Sequence, residues 1–201
     1  MRPRIGNRLL AGAALLMASA PAAAQPAKYG NQSADDLDPA LRSALVEAIA
    51  AADSFEDRFD AEVWLTDMSQ RLGAKVPNVE ERLHILRTVH RHATAADLDP
   101  ELVLAVIDVE SNFDRFAISS ANALGLMQVM PFWVEEVGET DMNLLFDIEF
   151  NILLGCRILK YYLDMEDGEL MQALARYNGS TGRRWYGDRV LDRLRLTWFR
   201  N

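Results

Sequence analysis

Cysteine is almost absent: Cys156 stands alone among 201 residues. An internal disulfide is excluded, so packing must hold the fold in any redox compartment. Cys156 lies inside an apolar helical run, where a buried, inert thiol is expected rather than a nucleophile. Histidine is scarce too, with His84, His90 and His92 only. His84 and His92 stand eight apart with His90 off their face, which is too thin a supply for a zinc site. All three are read as helix-surface residues, and no metal is expected. Alternation is missing as well: no run keeps period two over five or more residues, so a sheet is not supported. Basic residues are in deficit, 21 Lys+Arg against 30 Asp+Glu, for a net charge of −9. That balance disfavours nucleic acid and anionic membrane surfaces as partners and leaves neutral polymers and peptides open.

What is present begins with an address. Arg2, Arg4 and Arg8 precede an apolar run from Leu9 to Ala20, and Ala22-Ala23-Ala24 gives the small-x-small pattern of a signal peptidase site. A signal peptide over residues 1–24, cleaved after Ala24, is predicted, with an uncleaved anchor as the weaker alternative. The run is about a dozen residues, short of the roughly 20 that span a bilayer. No later stretch is long and apolar enough either, so stable membrane insertion is not expected. Removing residues 1–24 takes three Arg and no acid, leaving 177 residues with 18 bases and 30 acids, net −12. That length suits one domain with a full core.

Residues 25–36 are small and polar and read as a flexible lead-in. Helical periodicity then predicts helices near 40–52, 55–72, 78–92, 101–112, 127–137, 149–163, 169–177 and 188–196. Asp38-Pro39, Asn78 and Asp99-Pro100 supply starts, and Gly73 with Pro77 a stop. The class is all-α. The chain divides into an N-terminal helical region, 37–97, and a core region, 98–201, read together as one compact unit.

One residue stands on the wrong face. The helix from Glu101 runs through Leu102, Val103, Leu104, Ala105, Val106, Ile107 and Val109, apolar nearly all round, and so must be buried. Glu110 follows Val106 by one turn and precedes Phe113, projecting from an apolar surface. A carboxyl there loses hydration and keeps its proton to higher pH, as a general acid requires. On position alone, an ion pair with Arg115 or Arg157 is the commoner fate. The residues that follow tip the balance. Gly125 gives a flexible backbone beside a turn, Gln128 both donates and accepts, and Ser119 offers a hydroxyl from a loop. Met130 is read as core, and Met127 is open between core and site.

Four blocks in register carry a resemblance. Glu110-Ser111 with Phe113, Ala117 and Ser119, then Gly125-Leu-Met-Gln-x-Met-Pro131, then Asp147-x-x-x-Asn151-Ile-x-x-Gly155, then Ala173-Leu-Ala-Arg-Tyr177-Asn178-Gly179 resemble the SLT-type (family 1) lytic transglycosylases over residues 98–190. The resemblance implies a lysozyme-like fold and a periplasmic enzyme acting on the glycan strands of peptidoglycan. It implies Glu110 as acid and then base, with no cofactor. Ser119, Gln128 and Met127 would bind substrate, Tyr177 would face Glu110 across the cleft, and Asn178 would shape its floor. Asn122 stands where the family usually has Gly, Arg176 where Ala is common, and Phe132-Trp133 where smaller residues are frequent. Two rivals remain at this stage. One is a water-using muramidase with Asp108, Asp114 or Asp147 as second carboxylate, although Asp108 lies about 200° round the helix from Glu110. The other is a glycan-binding scaffold of an envelope machine, with a protein partner on the acidic helices before residue 98.

Overall fold

The computed structural model describes residues 39–199 except 51, 52 and 56. The signal peptide and lead-in expected over residues 1–36 lie outside the described residues. Helices begin where a side-chain acceptor can take an orphan amide. Asp57 accepts from the amide of Asp60 to open α2 (Arg58–Leu72), and Asn78 accepts from that of Glu81 to open α3 (Val79–Ala95). Asp99 accepts from Glu101 ahead of α4 (Pro100–Glu110), where Pro100 sits at the first position. Asp147 accepts from Phe150 at the head of α6 (Ile148–Met165). The remaining elements are α1 (Pro39–Ala50), α5 (Phe132–Glu136), a 3-10 turn (Met142–Phe146), α7 (Leu170–Tyr177), α8 (Trp185–Arg193) and a π turn (Leu194–Trp198). The all-α class expected from the sequence is the class observed.

The core is built round α4. Leu102 to Ile107 are all buried, so this helix needs neighbours on every side. It packs against α3, α8 and the π turn, while α6 packs against α3 and α7. The helices α1, α2 and α3 pack on one another, and their apolar side chains join those of α4, α6 and α8 in one cluster running from Leu45 to Trp198. The N-terminal helices thus form a layer on the same core. Among the described residues no helix is long and apolar enough to cross a membrane.

Three expectations are corrected. The helix over 127–137 shrinks to Phe132–Glu136, because the preceding residues spend their backbone groups elsewhere. Leu124 bridges both Ile118 and Val129, and Gln128 takes a left-handed φ of 49° that no helix continues through. The second helix starts at Arg58 rather than at residue 55; Phe55 instead stacks on His90, ring centroids 3.5 Å apart, beside Trp64. The histidines, finally, are half-buried rather than surface residues. His90 shares a 2.8 Å hydrogen bond with Ser54, and burial pushes its pKa down to about 4. His92 contacts Glu149 at 2.6 Å.

The most buried charge is Asp108, whose side chain is 1% exposed. It accepts from Lys75 Nζ at 2.8 Å and Trp198 Nε1 at 3.1 Å, with Arg193 at 3.8 Å. Lys75 also donates to Asn112. This carboxylate ties the turn after α2 and the π turn to the last turn of α4. Removing one partner of a buried pair leaves an uncompensated charge. Lys75→Ala is therefore expected to cost about 2 kcal/mol, below the full buried-pair value because Lys75 is partly exposed. Urea unfolding would show this as a lower midpoint at unchanged m-value.

Candidate active site

Glu110 is the last residue of α4. Beyond it Asn112 and Phe113 take left-handed φ values of 51° and 67°, so the chain leaves the helix in a tight reversal. Two such residues in succession store backbone strain, on the order of 1–3 kcal/mol each, which the surroundings must hold. Phe113 is buried with its ring 5.4 Å from that of Trp198, and this packing fixes the reversal.

The carboxyl group of Glu110 has polar company but no ion pair. Tyr186 Oη donates to its Oε1 at 2.5 Å, and the Asn178 side chain acts on it from nearby. Among the described residues no cation lies within 4.0 Å of it. The commoner fate open to it in the sequence, a pair with Arg115 or Arg157, is not realised. Arg115 donates to the Phe146 carbonyl at 3.0 Å, and Arg157 is exposed on α6. Burial dominates and pushes the Glu110 pKa up to about 7; the Tyr186 hydrogen bond, the Arg189 charge and the nearby Asn178 side chain pull the other way.

The other sequence-predicted residues take different places. Tyr177 is half-buried and its Oη donates to the Met127 carbonyl at 2.8 Å. Burial, reinforced by the charge of Glu110, holds its phenol protonated well above the usual range. Met127 is fully buried, and its side chain fills the space beside Gly155, where a Cβ would come within 2.4 Å of its sulfur. Its side chain is thus core, while its backbone anchors Tyr177. Ser119 Oγ accepts from the amides of Ala121 (3.2 Å) and Ala123 (3.0 Å), closing a turn through Asn122, whose φ is 63°. Gln128 spends its amide nitrogen on the carbonyls of Ala117 (3.1 Å) and Gly125 (2.9 Å). Its side-chain oxygen makes no hydrogen bond among the described residues and is left as an acceptor. Neither Ser119 nor Gln128 bonds to Glu110, Tyr177 or Asn178.

Asn151 pins this loop to α6. It is 1% exposed and bonds the Met127 amide (2.8 Å) and the carbonyls of Leu124 (3.0 Å) and Leu145 (2.8 Å). Gly125, with φ 76°, lies so close that a Cβ would meet the Leu145 carbonyl at 2.1 Å. Sequence reasoning missed Tyr186. The predicted helix began at Asp188 because nothing before it looks like a cap, and Arg184 indeed makes no capping hydrogen bond. The only available signal was Tyr186 and Val190 at helical spacing. Among the described residues no three His, Cys, Asp or Glu side chains gather as metal ligands.

The Glu110 value has a stability consequence. Its folded-state pKa lies above the unfolded one, so its contribution is complete below pH 4.5 and is lost as the pH rises through about 7. Glu110→Gln carries no such penalty. The variant should match wild type near pH 4.5 and exceed it by roughly 2–3 kcal/mol at pH 8, measured by urea unfolding at both pH values.

A family model described as the transglycosylase SLT domain matches residues 87–189, from within α3 to within α8. The chain is also similar to the membrane-bound lytic murein transglycosylase C of Yersinia pestis (strain Pestoides F) and that of Yersinia pseudotuberculosis serotype O:1b (strain IP 31758). Each is 32% identical over 124 residues, covering 53% of this chain and 35% of the relative. The chain thus spans about a third of the length of the curated relatives it matches. With the matched segment covering half of the chain and holding both Glu110 and the Tyr186 that bonds its carboxyl group, the chain belongs to the transglycosylase SLT domain family.

Proposed function

We propose that this protein is an exported peptidoglycan lytic transglycosylase in which Glu110 acts first as acid and then as base. The observation that carries this reading is the isolation of Glu110 as a desolvated carboxyl, with each of the three candidate second carboxylates bonded elsewhere among the described residues. An ordinary glycosidase needs two such groups. The three rivals are spent elsewhere: Asp108 is bound by Lys75 and Trp198, Asp114 accepts from the Phe116 amide at 2.9 Å, and Asp147 caps α6.

With one carboxyl group, the second nucleophile must come from the substrate. Protonated Glu110 donates to the glycosidic oxygen between N-acetylmuramic acid and N-acetylglucosamine, and the C1–O bond breaks. The neighbouring 2-acetamido group stabilises the cationic carbon. Carboxylate Glu110 then takes the proton of the muramic 6-hydroxyl, whose oxygen bonds to C1. The product is a 1,6-anhydro end, and no water is consumed. The residual hydroxyl proton of Ser119 and the side-chain oxygen of Gln128 suit the polar groups of an acetamido sugar. Tyr177 and Asn178 line the approach, and Met127 contributes through its backbone.

Mass spectrometry of products from purified peptidoglycan tests the reaction. Wild type should release anhydro-muropeptides, one water lighter than hydrolysis products, and Glu110→Gln should release none. Reducing-end products would overturn the intramolecular step in favour of a hydrolase, and binding without release would favour a scaffold. Activity should fall as pH rises through about 7, where Glu110 loses its proton. Tyr186 donates to the ionised form, so Tyr186→Phe should move that descending limb to higher pH in a pH–rate profile.

A further inference from the structure

The helix that ends in Glu110 is gripped from outside the four sequence blocks. The chain passes from α2 to α3 through a turn over residues 73–77, and a buried guanidinium sets that turn. Arg82 is 6% exposed; its Nε donates to Ser69 Oγ and its Nη1 to the Val76 carbonyl, both at 3.0 Å. No carboxylate lies within 4.0 Å of it among the described residues. Gly73 lies against it, since a Cβ there would come within 3.2 Å of Nη1. The amides of Lys75 and Val76 return to the Leu72 carbonyl, each at 3.0 Å. A buried charge with only neutral partners is costly, and this one spends its donors on holding the turn.

The turn delivers Lys75 to both flanks of the acid. Its Nζ donates to Asp108 Oδ1 at 2.8 Å and to Asn112 Oδ1. Asp108 stands two residues before Glu110 and Asn112 two residues after it, so one ammonium group brackets the acid along the chain. Because Asp108 lies about 200° round α4 from Glu110, the bracket grips from the far side of the helix. The charge that acts on the Glu110 carboxyl is that of Arg189. Asn112 is exposed and left-handed, and its side chain makes no other hydrogen bond among the described residues. A circuit closes through the core: Asp108 Oδ2 accepts from Trp198 Nε1 at 3.1 Å, and the Trp198 ring lies 5.4 Å from that of Phe113, the residue after Asn112. Lys75 is the one link that the N-terminal layer supplies.

Left-handed backbone at two successive residues persists only where its surroundings hold it. Glu110 is the last helical residue before that strained pair, so any relaxation of the reversal would displace its carboxyl group. A shift of about 1 Å in a reacting group can cost about a hundredfold in rate. We infer that Lys75 is a positioning residue for the reaction: by joining Asn112 to Asp108 it keeps the reversal closed and the Glu110 carboxyl aimed at the glycosidic oxygen. The N-terminal layer is then a working part of the site rather than a separate module. The inference rests on the glycan-cleaving reading above and assigns a part in it to residues 37–97.

Two substitutions open the bracket from opposite sides. Lys75→Met keeps the stem and removes the ammonium group. Asn112→Gly removes the acceptor while suiting the left-handed backbone, so it adds no strain of its own. Phe55→Leu weakens the same layer at the His90 stack and controls for lost stability. In the full chain, carbon-13 NMR titration of the Glu110 carboxyl, assigned against Glu110→Gln, reads its surroundings without turnover. Rates on a soluble peptide-bearing peptidoglycan tetrasaccharide read the reaction. In both variants Glu110 should titrate at about 6 or below as water reaches it, and kcat should fall about tenfold with KM within about twofold. Deleting a nearby cation would by itself move that titration upward, so the sign separates a loosened reversal from a lost charge. The double variant should be no worse than either single one, because both break the same contact. Phe55→Leu should keep the wild-type titration and kcat. A wild type that cuts no glycan would sink the reaction reading, while the NMR comparison still decides this one. A wild-type titration and kcat in either single variant, or losses that add in the double one, would overturn the proposal.

Discussion

Desolvation along α4 is the constraint from which the rest of the site follows. A helix buried on every side can carry an acidic residue only if that residue is paired or made to keep its proton. Here α4 does both, two residues apart. Asp108 meets Lys75, Trp198 and the more distant Arg193. Glu110, about 200° round the helix, meets a phenol, an amide and apolar walls, and its pKa rises to about 7. The two carboxyl groups differ in surroundings rather than in kind. The paired one joins three parts of the chain, and the unpaired one is left to titrate near neutrality.

Holding Glu110 in place is the work of irregular backbone. The reversal at Asn112 and Phe113 and the left-handed Asn122 and Gln128 could not persist as an isolated loop. Their support comes from inside. Asn151 supplies three hydrogen bonds from a buried position on α6, Gly125 lets that amide and the Leu145 carbonyl approach, and Gly155 admits Met127. Tyr177 closes the ring by bonding the Met127 carbonyl. The Asn, Gly and Tyr of the sequence blocks therefore act as one brace, in which removing Asn151 or Tyr177 would leave a backbone polar atom without its partner.

The regular parts were legible because each rule involved was local. Asn78 and Asp99 announced their helices through the acceptors they present, and the all-round apolarity of 102–107 announced burial. Glu110 stood out by the same pattern, as a charge where the periodicity called for an apolar residue. What failed was long-range. Met127 to Pro131 has apolar spacing that suits a helix, yet the competing partner, Asn151, lies 24 residues on. Tyr186 meets Glu110 across 76 residues and begins a helix without a cap, so no local pattern marked it. His90 looked like a surface residue because the ring that covers it belongs to Phe55, 35 residues earlier.

The mechanism proposed above asks one group first to give a proton and then to take one, and the surroundings of Glu110 suit both requirements. Burial alone would hold the carboxyl protonated far above neutrality, giving a weak acid that never became available as a base. Hydrogen-bond donors alone would return it to the ordinary carboxylate range and leave too little of the acid form. Burial opposed by Tyr186, Arg189 and Asn178 gives a balance near 7, where both protonation states are accessible. The donors also matter in time. They bond most strongly to the ionised form, the one that the proposed mechanism places between proton donation and the attack of the 6-hydroxyl. Tyr186 is itself held protonated by burial and by the charge of Glu110, so it remains a donor throughout. In the proposed mechanism a second carboxylate nearby would be a liability, because a like charge would raise the Glu110 pKa further and weaken the acid that opens the reaction.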